Sequence, residues 1–591
     1  MEHKFHTLTK SLDTLRQEAP KSYKSYHPDA NDHEGLCQAR ALAYIHLLLK
    51  VRFGIADFLD RHKLITDGTQ DGGVDAYYID TERKKLFLIQ SKFRTSHKSF
   101  KDKAMDANDL IRMEVQRITK GIQTDSRDVP FNSKIAAFQN TLGQIRDIAK
   151  YDYVVIFLGD VNNYSDDQLR KLIDNCEYEI YDAQRAYEKL LFPLTTGTYF
   201  DPDEIEIRLD LAQKVSLRLN QHIDTDFGQF NVTAVFVPTA EIGRVMSKYK
   251  NAILKFNPRN FLSLRRNSVN ENIRHSIVEQ EKNNFALLNN GITILSDKVA
   301  ISESTGTENV GQMILTRPQI LNGGQTAFTL STIYDEYIGK PHSPLSGKEV
   351  LVKIITPTSS TAVINPQFIE LISNATNQQN EVSEADRRAN HEIQVSLQSK
   401  IFNEYGYFYE RKAGEFHDGL NAGLIDQQYV IDRLDFIKAY WAYLGEPAAA
   451  RRTSVKIIFR EDTFYRLLSE TSKYAEMFFA YLLLKTLNDE EAKLSNKSES
   501  IKLYGHSLMY GKWAVIASIG ITNPIINSAP NQIFLQAQQL VSERLAQWND
   551  FDKFVRDKHH NSKYFTSSRT KFDLYYKVNL LDDDIREYFL K

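Results

Sequence analysis

Three polar residues around one turn are the part of this chain best suited to chemistry. The stretch GGVDAYYIDTERKKLFLIQSK, residues 72–92, contains Asp75, Gln90 and Lys92. Asp75 to Asp80 is rich in Tyr and Ile, Leu86 to Ser91 is mostly apolar, and Thr81-Glu82-Arg83-Lys84 between them is polar, which predicts a β-hairpin. In an antiparallel pair centred on that turn, Asp75 faces Gln90 within one register step, and side-chain alternation puts Lys92 on the face of Gln90. An acid beside an amide and a lysine suits metal-assisted phosphodiester cleavage. Asp75 would hold a hard divalent cation, Mg²⁺ or Mn²⁺, through oxygen, and Gln90 would add a carbonyl oxygen directly or through water. Lys92 would orient or activate the attacking water and offset charge developing on the phosphate. By spacing alone an ordinary hairpin fits equally well, with Asp75 capping a turn and Lys92 in a surface ion pair. A Gln-x-Lys closing an otherwise apolar strand tips the balance towards a role.

The elements that must position these residues follow from patterning. Residues before Lys50 read as helical, with a polar link near Tyr26 to Asn31. Asp106–Lys120 and Ser133–Ala149 have helical spacing, Tyr153–Leu158 is strand-like, and Ser165–Leu190 reads as one long helix with Ser165 as N-cap. Helix, hairpin, helix, strand, helix is an α/β/α order, and it places a first domain at residues 1–195. A central α/β region covers 204–423. EIEIRLDLA and NVTAVFVPT are strand-like, and Thr239–Leu254 is helical. FALLNNGITIL predicts a hairpin of two strands around Asn289-Asn290-Gly291. Pro318–Tyr337 reads as a strand, a glycine turn and an amphipathic helix.

A helix opening directly after Gly323-Gly324 leaves backbone N–H groups able to meet an anion, with Asn290, Gly291, Asn322, Gln325 and Thr326 alongside. A tight strand-to-helix connection explains the same residues. The amide-rich segment holding Asn377, Gln379 and Asn380 would suit base edges or backbone carbonyls, or satisfy itself as a loop. YGYFYERK could stack bases, though a half-buried strand is the better reading. Residues 424–591 are mainly helical by pattern, a surface that could support a homodimer.

A chain of 591 residues exceeds one core. Its two cysteines, Cys37 and Cys176, give neither a disulfide framework nor zinc spacing, which suits a reducing cytoplasm. MEHKFHTLTK lacks the apolar core of a signal peptide, and MFFAYLLL is too short to span a bilayer and reads as a buried helix, so no membrane role is expected. A net charge of −2 argues against a uniformly basic DNA-coating protein. Local basic surface is a different matter. Lys84, Lys85, Lys92, Arg94 and Lys98 cluster around the hairpin, where a DNA backbone would find complementary charge. His559-His560 near the tail reads as surface.

Asp75, Gln90 and Lys92, approached through Asp71-Gly72-Gly73, resemble the PD-(D/E)XK nuclease superfamily in its restriction-endonuclease-like Mrr branch. Gln90 stands where a second acid is common. The resemblance therefore implies a further carboxylate on the preceding helix. Glu34, ahead of CQARALAYIHLLLK, is the candidate, with Asp71 and Glu18 competing. NPRNFLSLRRNSVNENIR, LLNNGITIL, ILNGGQTAFTL and NATNQQNEV resemble the AIPR (abortive infection phage resistance) family. That resemblance implies antiviral defence, with a DNA endonuclease governed by the AIPR region. The competing expectation is a nucleic-acid-binding or scaffold protein that does not cleave.

Overall fold

In the computed structural model of the chain, the described residues are 2–590 except 30, 82, 107–109, 111–112, 200–203, 213–216, 258–268, 359–365, 378–383, 495–496, 523 and 567–568. They form two compact units, Glu2–Ile369 with Gly414–Gln427, and Glu370–Ala413 with Gln428–Lys591.

The first unit begins with two long helices, α1 (Glu2–Arg16) and α2 (His33–Phe53), and a short one, α3 (Phe58–Lys63). The predicted hairpin follows as β1 (Ala76–Asp80) and β2 (Lys85–Ser91), paired antiparallel with Ala76 opposite Ile89. β3 (Asp152–Leu158) lies parallel to β2, and β4 (Glu177–Ile180) parallel to β3, giving the order β1-β2-β3-β4. β2 is buried from Leu86 to Gln90 because helices cover both sheet faces. On one face, Tyr77, Leu86, Leu88, Val155 and Phe157 join a core with Ile135, Phe138 and Leu142 of α4 (Ser133–Gly143). On the other, Tyr78 and Phe87 meet Phe53 of α2 at ring-centroid distances of 4.3 and 4.9 Å. The layering is α/β/α.

Three helices expected here are shorter, and Ser133–Ala149 ends at Gly143 as α4. Ser165 does cap a helix, with Gln168 completing a capping box, but that helix stops at Leu172. Asp174 and Asn175 then take left-handed backbone conformations, which short polar side chains tolerate, and the chain returns as β4. Of Asp106–Lys120, the described helix of the segment's second half is Val115–Thr119.

The same unit carries two more sheets. One has the order β5-β10-β9, from β5 (Glu204–Asp210), β9 (Lys298–Ser302) and β10 (Val310–Thr316). The other runs β11-β8-β12-β7-β6, from β6 (Arg218–Thr225), β7 (Gly228–Pro238), β8 (Ile292–Leu295), β11 (Gln319–Asn322) and β12 (Glu349–Pro357). Val235, Val352 and Ile294 pack on Ile242 and Met246 of α5 (Thr239–Tyr249) and on Ala327 and Leu330 of α6 (Gly324–Tyr337). FALLNNGITIL is not a hairpin. Phe285–Leu288 is a helical turn, and β8 pairs parallel with β12 instead. Gly291, at φ 80°, passes so close to β12 that a Cβ would lie 2.6 Å from the Leu351 carbonyl oxygen. The turn is built for that close approach.

The second unit is mainly helical. Its core takes in Phe436, Phe478, Phe479, Val515, Trp548 and Tyr575. Phe464–Leu487 is two helices, Glu461–Leu468 and Tyr474–Ala492, the latter burying the MFFAYLLL segment. Tyr407, Phe408 and Tyr409 are core residues and offer no face to a base. His560 is exposed, but His559 is half-buried: its Nε2 is 2.7 Å from the fully buried Asp584, which also accepts from Tyr575 at 2.6 Å. Among the described residues no helix is long and apolar enough to cross a membrane.

Candidate metal centre

Asp75 sits one residue before β1, at the carboxyl end of β2. Its N–H donates to the Ile89 carbonyl (2.8 Å), and its carboxylate accepts from the Ser91 N–H (2.6 Å). The Ala76–Ile89 register puts Asp75 across from Gln90, as expected. Gln90 is buried in β2, on the face of Leu86 and Leu88. Lys92 is half-buried just past the strand end, its N–H donating to the Leu158 carbonyl (3.0 Å).

Two further carboxylates converge here from the loop before β1. One oxygen each of Asp67, Asp71 and Asp75 lies within 4.8 Å of the others. The loop is held by its own backbone. The Asp75 carbonyl accepts from the N–H groups of Thr66 (2.8 Å) and Asp67 (2.9 Å). Asp71 accepts from Gly73 (2.9 Å) and Gly68 (3.1 Å). Gly72 has a φ of 63°, and a Cβ there would lie 2.8 Å from atoms of both Ile118 and Phe131, so glycine is needed. Asn132, the N-cap of α4, donates to the Thr66 and Thr69 carbonyls, and Lys134 donates to the Asp67 carbonyl (2.9 Å).

Electrostatics follows from this crowding. Burial, the Asp67 charge and then the Asp71 charge push Asp75 well above the usual carboxylate range, against the Ser91 N–H and the Lys92 ammonium. Burial raises Asp67 as well, opposed by Lys134, the Gly68 N–H and Lys92. Asp71 is raised by burial and Asp67, opposed by its bonds from Gly73 and Gly68. Half-buried carboxylates that repel one another are short of positive charge. Oxygen-only donors suit a hard cation of the Mg²⁺ or Mn²⁺ type. The donor set therefore fits such an ion.

Glu34 is exposed in the first turn of α2 and is not part of this carboxylate cluster. Glu18 is bound to Lys50 (2.6 Å) and Arg61. Asp71 is in the cluster, and Asp67 was missed. The spacing Asp67-x3-Asp71-x3-Asp75 in a glycine-rich loop was the available signal.

The basic residues divide. Lys84 and Lys85 lie at the start of β2, roughly 25 Å from Lys92 at about 3.3 Å per residue. They pair with Asp147 (2.9 Å) and Glu177 (3.7 Å). Arg94 donates to the Ala104 carbonyl (3.3 Å), and Lys98 is exposed nearby in chain order.

In the central sheets, the glycine segments meet each other. Asn289 Nδ2 donates to Thr326 Oγ1 (3.2 Å), and the Gly323 N–H donates to the Asn322 side chain (2.7 Å). A Cβ on Gly323 would lie 2.9 Å from the Gly291 carbonyl oxygen, and one on Gly324 would lie 3.0 Å from Asn257 Nδ2. Packing accounts for these glycines, with Asn290 and Gln325 flanking the contact. The Asn377 side chain, Gln379 and Asn380 lie outside the described residues.

A family model described as AIPR protein matches residues 254–572, more than half of the chain. No curated protein and no solved structure matches it.

Proposed function

The chain belongs to the AIPR family, and from that premise we propose that its N-terminal sheet carries a divalent-metal-dependent DNA endonuclease serving abortive-infection defence against phage. The family supports the defence role, and the carboxylate cluster supports the chemistry. One observation carries the reading: Asp67, Asp71 and Asp75 converge within 4.8 Å at a strand end where Lys92 acts on the same charges. When bound, Mg²⁺ or Mn²⁺ supplies Lewis-acid polarisation of a phosphoryl oxygen and a more acidic water. Asp67, Asp71 and Asp75 are the residues to hold it. Lys92 is placed to orient the attacking water and to offset charge gathering on the phosphate. Asn132 and Lys134 keep the acidic loop in register. Gln90, buried in β2 across from Asp75, is the residue that would add a carbonyl oxygen to the ion, directly or through water.

The test is cleavage of plasmid and phage DNA with Mg²⁺, Mn²⁺ or EDTA. Asp67→Asn, Asp75→Asn and Lys92→Met should each lower the rate by about 100-fold or more while circular dichroism stays native. Cutting that survives EDTA, or variants that cut like the parent, would remove the active-site assignment. Salt-sensitive DNA binding without metal-dependent cleavage would point to a binding protein instead.

A further inference from the structure

The five-stranded sheet ends on β6, and nothing among the described residues pairs with its outer edge. β6 is eight residues long, exposed from Arg218 to Asp224, and contains no proline or lysine. Long edges of this kind are normally shortened, bulged or protected by charge, because their open N–H and C=O groups recruit another strand. Here the edge is apolar on one side. Leu219 is 69% exposed and Ile223 40% exposed. Leu219 pairs with Ala234, two residues from Phe236, and Phe236 pairs with Leu351. By alternation these side chains share the sheet face away from the α5–α6 core. Phe236 and Leu351 are themselves 40% and 38% exposed, so the patch runs inward from the edge.

We propose that β6 docks antiparallel against β6 of a second copy of this chain, joining two five-stranded sheets across a two-fold axis. The sequence RLNQHIDT is self-complementary in one register, centred on Gln221. There Arg218 faces Asp224 of the other copy, Leu219 faces Ile223, Asn220 faces His222, and Gln221 faces itself. Opposite charges, two apolar side chains and two polar ones each meet their kind of partner, and the symmetry repeats every pair. A shift of two residues sets Leu219 against Thr225 and Gln221 against Ile223, which breaks the apolar pairing, and moves Arg218 from Asp224 to Asp226, beyond the end of the strand. The apolar side chains of both edges then fall on one face and extend the Phe236–Leu351 patch into a shared surface.

The experiment uses the full chain in sedimentation velocity and light scattering across concentration. The wild type should form a dimer. Ile223→Lys should return it to monomer. Asp224→Arg and Arg218→Asp should each weaken it, by about tenfold, since two charge pairs turn repulsive. The double exchange Arg218→Asp with Asp224→Arg should restore it. Gln221→Cys should give a disulfide-linked dimer under mild oxidation. Asn220→Cys and the wild type, which keeps Cys37 and Cys176, should not. A chain that stays monomeric, even one that takes up an extended peptide of another protein along β6, overturns the proposal. So does a dimer indifferent to Ile223→Lys that Gln221→Cys fails to link. These readouts need no nuclease activity and stand apart from the metal centre.

Discussion

Acidification should loosen the helical cap of the N-terminal sheet through one buried histidine. His46 on α2 is 1% exposed. Arg61 Nε donates to its Nδ1 at 3.1 Å, so that nitrogen keeps its lone pair and the ring is neutral. Its Nε2–H then faces the Tyr26 hydroxyl (2.9 Å), which in turn can donate to His62 Nδ1 (3.0 Å). Burial, and then the charges of Arg61, His62 and Lys50, push His46 down to about 2 from the ordinary histidine value. The unfolded segment binds a proton near pH 6.5, and the native one does not. The folded pKa is therefore the depressed one. Its stabilising contribution is whole above about pH 6.5 and declines as pH falls. Between about pH 7.5 and about pH 5.5 the loss from His46 alone is about 1.4 kcal/mol, tenfold in the opening constant. Trp441, Trp513 and Trp548 all lie in the other unit, so tryptophan fluorescence does not report on this region. Hydrogen exchange of α2 peptides does. His46→Gln supplies an acceptor for Arg61 and a donor for Tyr26 but cannot titrate. Wild type should lose protection about tenfold more than His46→Gln across that interval once intrinsic rates are corrected. Equal pH dependence in the two proteins would refute the buried-neutral assignment.

Three further outcomes follow from single contacts. Asn132→Ala removes the α4 cap and two bonds to the acidic loop, so it should cost about 1–2 kcal/mol and weaken Mn²⁺ binding in calorimetry although no carboxylate is touched. Gly520→Ala sets a Cβ 1.9 Å from the Tyr443 carbonyl oxygen. It should cost about 1–3 kcal/mol or more, read as a lower urea midpoint by tryptophan fluorescence. Asp584→Ala leaves Lys558, His559 and Tyr575 without their buried acceptor. A cost of about 3–5 kcal/mol should appear as a large fall in melting temperature.

What the sequence made legible depended on whether a signal was local. The hairpin, its register and the shared face of Gln90 and Lys92 rest on period-two alternation and a polar turn, and these are properties of adjacent residues. Strand β5 and the glycine-to-helix turn before α6 are visible for the same reason. Ser165–Leu190 misled because EYEI satisfies a helical stripe as readily as an edge strand, and only the sheet edge offered by β3 decides between them. FALLNNGITIL misled because its Asn-Asn-Gly serves an approach to Leu351 some sixty residues away in sequence. The third acid was sought on a helix, by resemblance. The carboxylates that converge beside Asp75 are on a loop held by Asn132 and Lys134, residues that do not mark themselves in the sequence.

That loop explains why the acids stay together. Carboxylates with oxygens within 4.8 Å of one another repel, when ionised, by roughly 3–4 kcal/mol per pair at an effective dielectric near 20, and a flexible loop would swing them into water. Here Thr66 and Asp67 are bonded to the Asp75 carbonyl, Gly68 and Gly73 to Asp71, and Asn132 grips the outer carbonyls. The repulsion is thus kept in the folded state, and the raised acid pKa values are its signature. Such a cluster can be relieved in two ways, by a proton or by a cation. A divalent ion relieves all three pairs at once, which a single proton cannot. In the proposed centre, a loop held this way would keep its acids together for an incoming cation. It also means that loosening the loop should weaken the site almost as much as removing one of its acids.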